Sequence, residues 1–257
     1  MIAVLIAGAV AMALSLFGTR ALISFFDSIG KGQPILGSDD HGPVHHMKKQ
    51  GTATMGGIAI MLSAFIGWAV AHLRGGIALS DQAMIMWAIC GVLSVIGFLD
   101  DFLKVRNAHN RGIFWKKKGY ITFGLVVVMM TWLLLGTGVS ETLSFTRFDF
   151  PGWNLSPVLW VVWTSVMVWA TTNAVNVTDG LDGLAAGSAL FGFLAFTVIA
   201  YWAFRNPDIY NLVNPLDLAV FSAAMAGACG GFLWWNAAPA RIFMGDVGAL
   251  GIGAALG

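Results

Sequence analysis

Seven stretches of this 257-residue chain are each apolar enough, over roughly 20 residues, to cross a lipid bilayer as a helix. They run from Ile2 to Phe26, Met55 to Leu73, Ala83 to Leu103, Tyr120 to Gly138, Pro157 to Ala174, Leu184 to Phe204 and Leu216 to Trp235. An eighth begins at Val247 and has run about ten residues at Gly257. Non-helical backbone cannot face hydrocarbon because its N–H and C=O groups find no partners there, so the spanning element is the helix. Charged residues make up 11% of the chain and hydrophobic ones 58%, whereas an ordinary soluble domain carries about 25% charged. A soluble fold could not bury that excess, and a disordered chain would not contain it. The expected fold is all-α: a polytopic integral membrane protein with seven full transmembrane helices plus the start of an eighth. It forms a single transmembrane domain over residues 1–257 that reads as incomplete at its C-terminus.

The first apolar stretch lacks the basic leader and small-residue cleavage site of a signal peptide, so it is read as a membrane helix. Cys90 and Cys229 lie inside apolar segments without CxxC spacing and are read as packing residues. Orientation follows the distribution of Lys and Arg. The first, third, fifth and seventh loops hold eleven of the fourteen, among them Arg20 at a helix end, Lys49, Lys104, Lys118 and Arg241; the other loops hold only Arg74, Arg147 and Arg205. Odd loops are therefore cytoplasmic and the N-terminus lies outside. Trp153, Trp160 and Trp202 sit near segment ends as interfacial anchors. The net charge of +1 gives no reason to expect nucleic acid as a partner.

The acidic residues share this asymmetry. Asp100 and Asp101 end the third segment, Asp179 and Asp182 follow the fifth, and Asp246 precedes the eighth, which puts all five on the cytoplasmic rim. Any one of them could be a plain solvated residue, but ionisable groups at membrane depth are costly and mark functional sites. In Gly97-Phe98-Leu99-Asp100-Asp101-Phe102-Leu103-Lys104 the adjacent carboxylates point about 100° apart on a helix. On that geometry they do not serve one metal from the same face; one can contact a cation while the other reaches a substrate proton. In the run from Asn173 to Gly183, Asn173, Asn176, Asp179 and Asp182 recur every third residue and are neighbours on a helix face. Oxygen ligands of this kind suit magnesium, although Asn, Asp and Gly are also ordinary turn formers. Asp246 stands at a helix start, where it could serve as an N-cap. Lys48 and Lys49 lead into the Gly-rich Gly51 to Gly57, a helix entry whose backbone N–H groups can hold phosphate. The Lys116 to Lys118 run reads by default as a positive-inside anchor.

Magnesium ligands and phosphate-binding groups on one membrane face point to phosphoryl transfer, where the protein chiefly positions the reactants. The rival reading is an ion-coupled transporter. Such proteins place their sites near the bilayer midplane, where this chain carries almost no charge.

The chain resembles the phospho-N-acetylmuramoyl-pentapeptide transferase family, within the polyprenyl-phosphate N-acetylhexosamine-1-phosphate transferases. The resemblance rests on Asp40-His41-Gly42-Pro43 with His45 and His46, KKQGTATMGG from Lys48 to Gly57, FLDDFLK from Phe98, NAVNVTDGLDGLA from Asn173 and FLWWNAAPARIFMGD from Phe232, in family order. The lysine-led block favours this branch over relatives that use UDP-GlcNAc. The resemblance implies ten transmembrane helices in a bacterial plasma membrane, with a cytoplasmic active site. It also implies transfer of phospho-MurNAc-pentapeptide from UDP-MurNAc-pentapeptide to undecaprenyl phosphate, with Mg2+, giving lipid I and UMP. A homodimer is compatible with it. Carried over by motif, Asp246 is the principal magnesium ligand, Asp100 the base or orienting carboxylate for the lipid phosphate, and Asp101 a support for metal or donor diphosphate. Asn173, Asn176 and Asp179 belong to the cleft, Asp182 and Phe243 to the uridine, Lys49, Thr54 and Lys118 to donor groups, and Asn236 to the cleft. Ala53 replaces the usual Pro, Val247 and Ala249 replace the usual Thr and Ser, and a histidine-rich loop and last helices are expected beyond Gly257. A polyprenyl acceptor, gaining about 0.8 kcal/mol per buried CH2, stays in the bilayer while a UDP donor stays in water, so the two meet only at the interface.

Overall fold

The computed structural model describes residues 1–29, 52–74, 76–106, 114–144, 149–210, 212 and 214–257. In chain order the elements are α1 (Ile2–Ile29), α2 (Gly57–Leu73), α3 (Asp81–Arg106), α4 (Trp115–Gly136), β1 (Thr142–Leu143), β2 (Trp153–Asn154), α5 (Pro157–Thr178), α6 (Leu184–Arg205), α7 (Pro207–Tyr210), α8 (Pro215–Asn236) and α9 (Gly245–Leu256). Six of the helices are long and apolar enough to cross a membrane; α2, at 17 residues, and α9, at 12, are shorter apolar helices. The protein is an all-α multi-pass membrane protein. Two small elements depart from the purely helical expectation. β1 and β2 pair antiparallel, Thr142 opposite Asn154 and Leu143 opposite Trp153, and α7 makes a single turn. Both are too short to carry a hydrophobic period, the signal on which the sequence reading relies.

Local chemistry sets several helix ends. Ser156 caps α5 by accepting from the Leu159 N–H at 3.3 Å, with Pro157 pre-set for the first turn. α1 continues to Ile29, so Arg20 lies within the helix rather than at its end. At 28 residues α1 is about 42 Å long, more than the roughly 30 Å hydrocarbon core, which leaves more than two turns free to stand in the interface. Trp160 is buried and is no interfacial anchor, whereas Trp153 and Trp202 are exposed.

α8 is the hub, flanked by α1, α2 and α6. Membrane helices lack a hydrophobic drive to associate and approach closely through small residues instead. Gly227 and Gly231, four apart on α8, do this against α1: a Cβ on Gly227 would lie 2.1 Å from the Gly8 carbonyl oxygen, and one on Gly231 2.4 Å from that of Met12. Ser15 Oγ donates to the Ala228 carbonyl and Trp235 Nε1 to that of Leu16 across the same seam. Phe193, Phe221, Met225 and Phe232 fill the core around α8, with Cys90 and Cys229 buried as free thiols in it. A smaller core of Leu93, Val126, Met130, Val168 and Leu250 joins α3, α4, α5 and α9.

Polar groups gather at both ends of α3. At its N-terminal end, buried Asp217 of α8 accepts from Trp68 Nε1 at 2.7 Å and from both the N–H and hydroxyl of Ser80 at 2.8 Å, and its carboxylate lies 3.2 Å from His72 Nε2. At its C-terminal end stand Asp100, Asp101 and Lys104. Twenty residues at 1.5 Å separate Ser80 from Asp100, about 30 Å, one hydrocarbon thickness.

Candidate active site

The C-terminal turns of α3, the first turn of α4 and the first turn of α9 meet at one end of the bundle. Two glycines permit it. A Cβ on Gly97 of α3 would sit 2.2 Å from the Asp246 carbonyl oxygen, so α9 can start here only against a bare backbone. Gly245 has φ +72°, the left-handed region open to glycine, and a Cβ there would strike the Asp101 carboxylate. α9 thereby drops Asp246 into the crevice beside the two α3 carboxylates. Asp246 does not cap its own helix, whose N-cap position is Met244 with no side-chain cap bond.

Asp100, Asp101 and Asp246 are all buried, and each offers an oxygen within 4.8 Å of the others. This corrects the expectation that adjacent aspartates on a helix cannot face one metal. The 100° is the angle between their directions from the helix axis; an oxygen of each still lies within 4.8 Å of the other and of the third carboxylate, which comes from a different helix. Lys104, one turn on, lies 2.7 Å from Asp100, 2.8 Å from Asp246 and 3.5 Å from Asp101. Lys118 of α4 bonds Asp246 and lies 3.3 Å from Asp100. The Val247 N–H donates to Asp101 at 3.3 Å, which keeps that carboxylate over the N-terminal turn of α9, where the helix dipole favours an anion. Three carboxyl groups face two ammonium groups in a poorly solvated pocket.

The loop before α9 is clamped from two sides. Asn236 is buried, and its side chain accepts from the Gly183 N–H at 3.0 Å and donates to the Ile242 carbonyl at 2.9 Å, tying the Asp179–Gly183 turn to the Ile242–Gly245 segment. Asp182 accepts from the Ala240 N–H at 3.1 Å. On the other side Ala53 forms a parallel bridge to Ile242, and the Gly56 and Gly57 N–H groups donate to the carbonyls of Phe243 and Met244 at 2.9 and 2.8 Å. The N–H groups of Ile58 and Ala59 bond Met55 and Gly56. These four amides are therefore occupied and do not face phosphate, the Gly56 and Gly57 pair holding the Asp246 loop; Gly51 of the same entry lies outside the described residues. Thr54 beside them has a buried hydroxyl with no hydrogen-bond partner.

Asp179 joins the cluster electrostatically. Burial pushes its pKa up to about 8, helped by the charges of Asp246, Asp101 and Asp182 and opposed by a backbone hydrogen bond from Gly245. Asn176 is half-buried a turn earlier. Asn173 is set apart. Six residues before Asp179, it lies about 9 Å further along α5, where the neighbouring Thr172 backbone packs on Gly253 of α9, and its amide donates back to the Trp169 carbonyl. Phe243 is half-buried at the rim. Lys49 lies outside the described residues. Lys104 is the residue the sequence reading left out of the site; its spacing of three and four residues from the two aspartates was the available signal.

A family profile described as glycosyl transferase family 4 matches residues 83–257. The chain is 39% identical to a phospho-N-acetylmuramoyl-pentapeptide-transferase of Beutenbergia cavernae, over 100% of this chain and 76% of that protein. It is similar to proteins of the same name from Streptomyces griseus, at 39% over 98% of this chain and 74% of theirs, and Mycobacterium tuberculosis, at 41% over 97% and 73%.

Proposed function

Because the chain belongs to the phospho-N-acetylmuramoyl-pentapeptide-transferase family within glycosyl transferase family 4, we propose that it transfers phospho-MurNAc-pentapeptide from UDP-MurNAc-pentapeptide to undecaprenyl phosphate. The reaction takes place on the cytoplasmic face of a bacterial plasma membrane and yields lipid I and UMP for peptidoglycan synthesis. The observation that carries this reading is the convergence of Asp100, Asp101 and Asp246 with Lys104 and Lys118 where three helices end.

Among the described residues the donor set fits magnesium: three buried carboxyl groups grouped together, with no nitrogen or sulfur ligand among them. Asp246 and Asp101 would hold it, and Mg2+ supplies charge neutralisation of the donor diphosphate and stabilisation of the departing UMP. The chain's own groups position the reactants. Asp100 accepts the proton of the lipid phosphate and keeps it ionised. That phosphate oxygen then attacks the β-phosphorus of the donor, a new P–O bond forms, and the bond to UMP breaks with its electron pair leaving on UMP. Lys118 pairs with donor phosphate oxygens, and Lys49 and Thr54 are the further residues we assign to donor groups. Asp182 and Phe243 form the uridine side, with Asp179, Asn176 and Asn236 holding the floor beneath.

Membranes carrying the protein should release UMP from UDP-MurNAc-pentapeptide in the presence of undecaprenyl phosphate, and not from UDP-GlcNAc. Asp100→Asn should lower that rate by roughly 100-fold or more, the usual scale for a lost acid–base group, and Asp246→Asn should lower it too, through loss of the metal's charge stabilisation. Release from UDP-GlcNAc alone, or full activity in both variants, would overturn the assignment.

A further inference from the structure

Two lysine ammonium groups stand inside the carboxylate cluster, and they differ in what holds them there. Lys118 comes from α4 and reaches two of the three aspartates. Lys104 sits on α3 itself, within one turn of Asp100 and Asp101, and its Nζ lies within 3.5 Å of all three carboxylates. Its side chain is about four-fifths buried. The centre common to three carboxylates is where a cation is most strongly attracted, and here an ammonium group takes that place. A divalent cation bound to oxygens of Asp101 and Asp246 could not share those oxygens with the ammonium without strong like-charge repulsion. The lysine stem is flexible and its ammonium is a compact point charge, so it can leave with little rearrangement of the helix.

We propose that Lys104 is a built-in counter-ion. It keeps the three carboxylates assembled when no metal is bound, and it is displaced from their common centre when a divalent cation enters. This rests on the reading of the cluster as the metal site. Three like charges a few ångströms apart would otherwise spread or take up protons, and the last turn of α3 and first turn of α9 would lose the contact that sets them. The displaced ammonium stays within a side chain's length of the cluster, where it can pair with the phosphate oxygens of a bound donor. Lys104 is thus a positioning residue whose seat at the common centre is mutually exclusive with the metal's.

The test uses the purified full-length protein in nanodiscs, with Mn2+ binding followed by electron paramagnetic resonance. Replacing Lys104→Met removes the competing charge and keeps the stem. The expected result is Mn2+ affinity at least about tenfold tighter than in the parent protein, with a lower melting temperature in the metal-free state that Mn2+ restores. Affinity equal to or weaker than the parent's overturns the proposal. A residue needed only for folding would weaken binding, so the direction of the change separates the two roles. A second measurement needs no variant: acylation of Lys104 in the parent protein, read by mass spectrometry, should speed up when Mg2+ is added, and an unchanged rate counts against displacement. If Asp246→Asn leaves Mn2+ binding intact, the metal-site reading fails and this inference with it. If Asp246→Asn abolishes binding while Lys104→Met does not tighten it, the counter-ion role alone fails.

Discussion

Asp179 shows how a residue's surroundings decide its chemistry. By itself Asp-Gly in a turn is unremarkable, and its spacing from Asp182 says only that the two can be neighbours. Burial beside Asp246 and Asp101 is what raises its pKa from 3.8 to about 8. The sign of the consequence follows from proton counting: the folded protein holds a proton that the unfolded chain releases above about pH 4, so stability falls as pH rises toward 8. In Asp179→Asn there is no proton to release. The melting temperature of metal-free Asp179→Asn should therefore gain on that of the parent between pH 5 and pH 8; a constant difference across that range would show that the carboxyl is solvated. Asn236 is a second case. The sequence placed it in the cleft, and its two hydrogen bonds show a side chain occupied in joining two loops.

For the elements, the decisive contact is that of α3 with the start of α9. Hydrophobic periodicity marks both helices but does not say that they touch at Gly97. Gly97→Ala should push the Asp246 backbone away from Asp100 and Asp101. The overpacking should cost about 1–3 kcal/mol, and a misplacement of the metal ligand by even about 1 Å can lower UMP release roughly 100-fold. Gly91→Ala, on the same helix with nothing within 4 Å of the added methyl, is the control and should be silent in both melting and activity assays. If the two variants behave alike, the close approach is not what sets the site. The same reasoning explains why α2 does not offer its N-terminus to phosphate: its first amides are already bonded to the loop that carries Asp246.

On the scale of the whole molecule, the two polar clusters at the ends of α3 divide the labour. The cluster around Asp217 pins α2, α8 and the segment that leads into α3 at the opposite end of α3, about 30 Å from the carboxylates. Asp217→Ala strands the Trp68 and Ser80 donors, at about 1–3 kcal/mol for each buried group left unpaired. It should lower the melting temperature in nanodiscs, yet leave the donor KM and Mn2+ affinity of the folded fraction unchanged; a change in either would mean that the clusters are coupled. The sequence by itself determined what depends on local sums: which stretches enter lipid, that they are helices, where the scarce charges lie along the chain, and, through its motifs, the family. Hydropathy and charge bias are additive over short windows, so no fold is needed to read them. Only the tertiary structure decided that Asp100, Asp101 and Asp246 share one centre, that Lys104 fills it, and that glycine amides brace the loop rather than bind phosphate. These are contacts between residues as far as 187 positions apart, as Gly57 is from Met244, set by how closely two backbones can approach, and no local window of the sequence contains that distance.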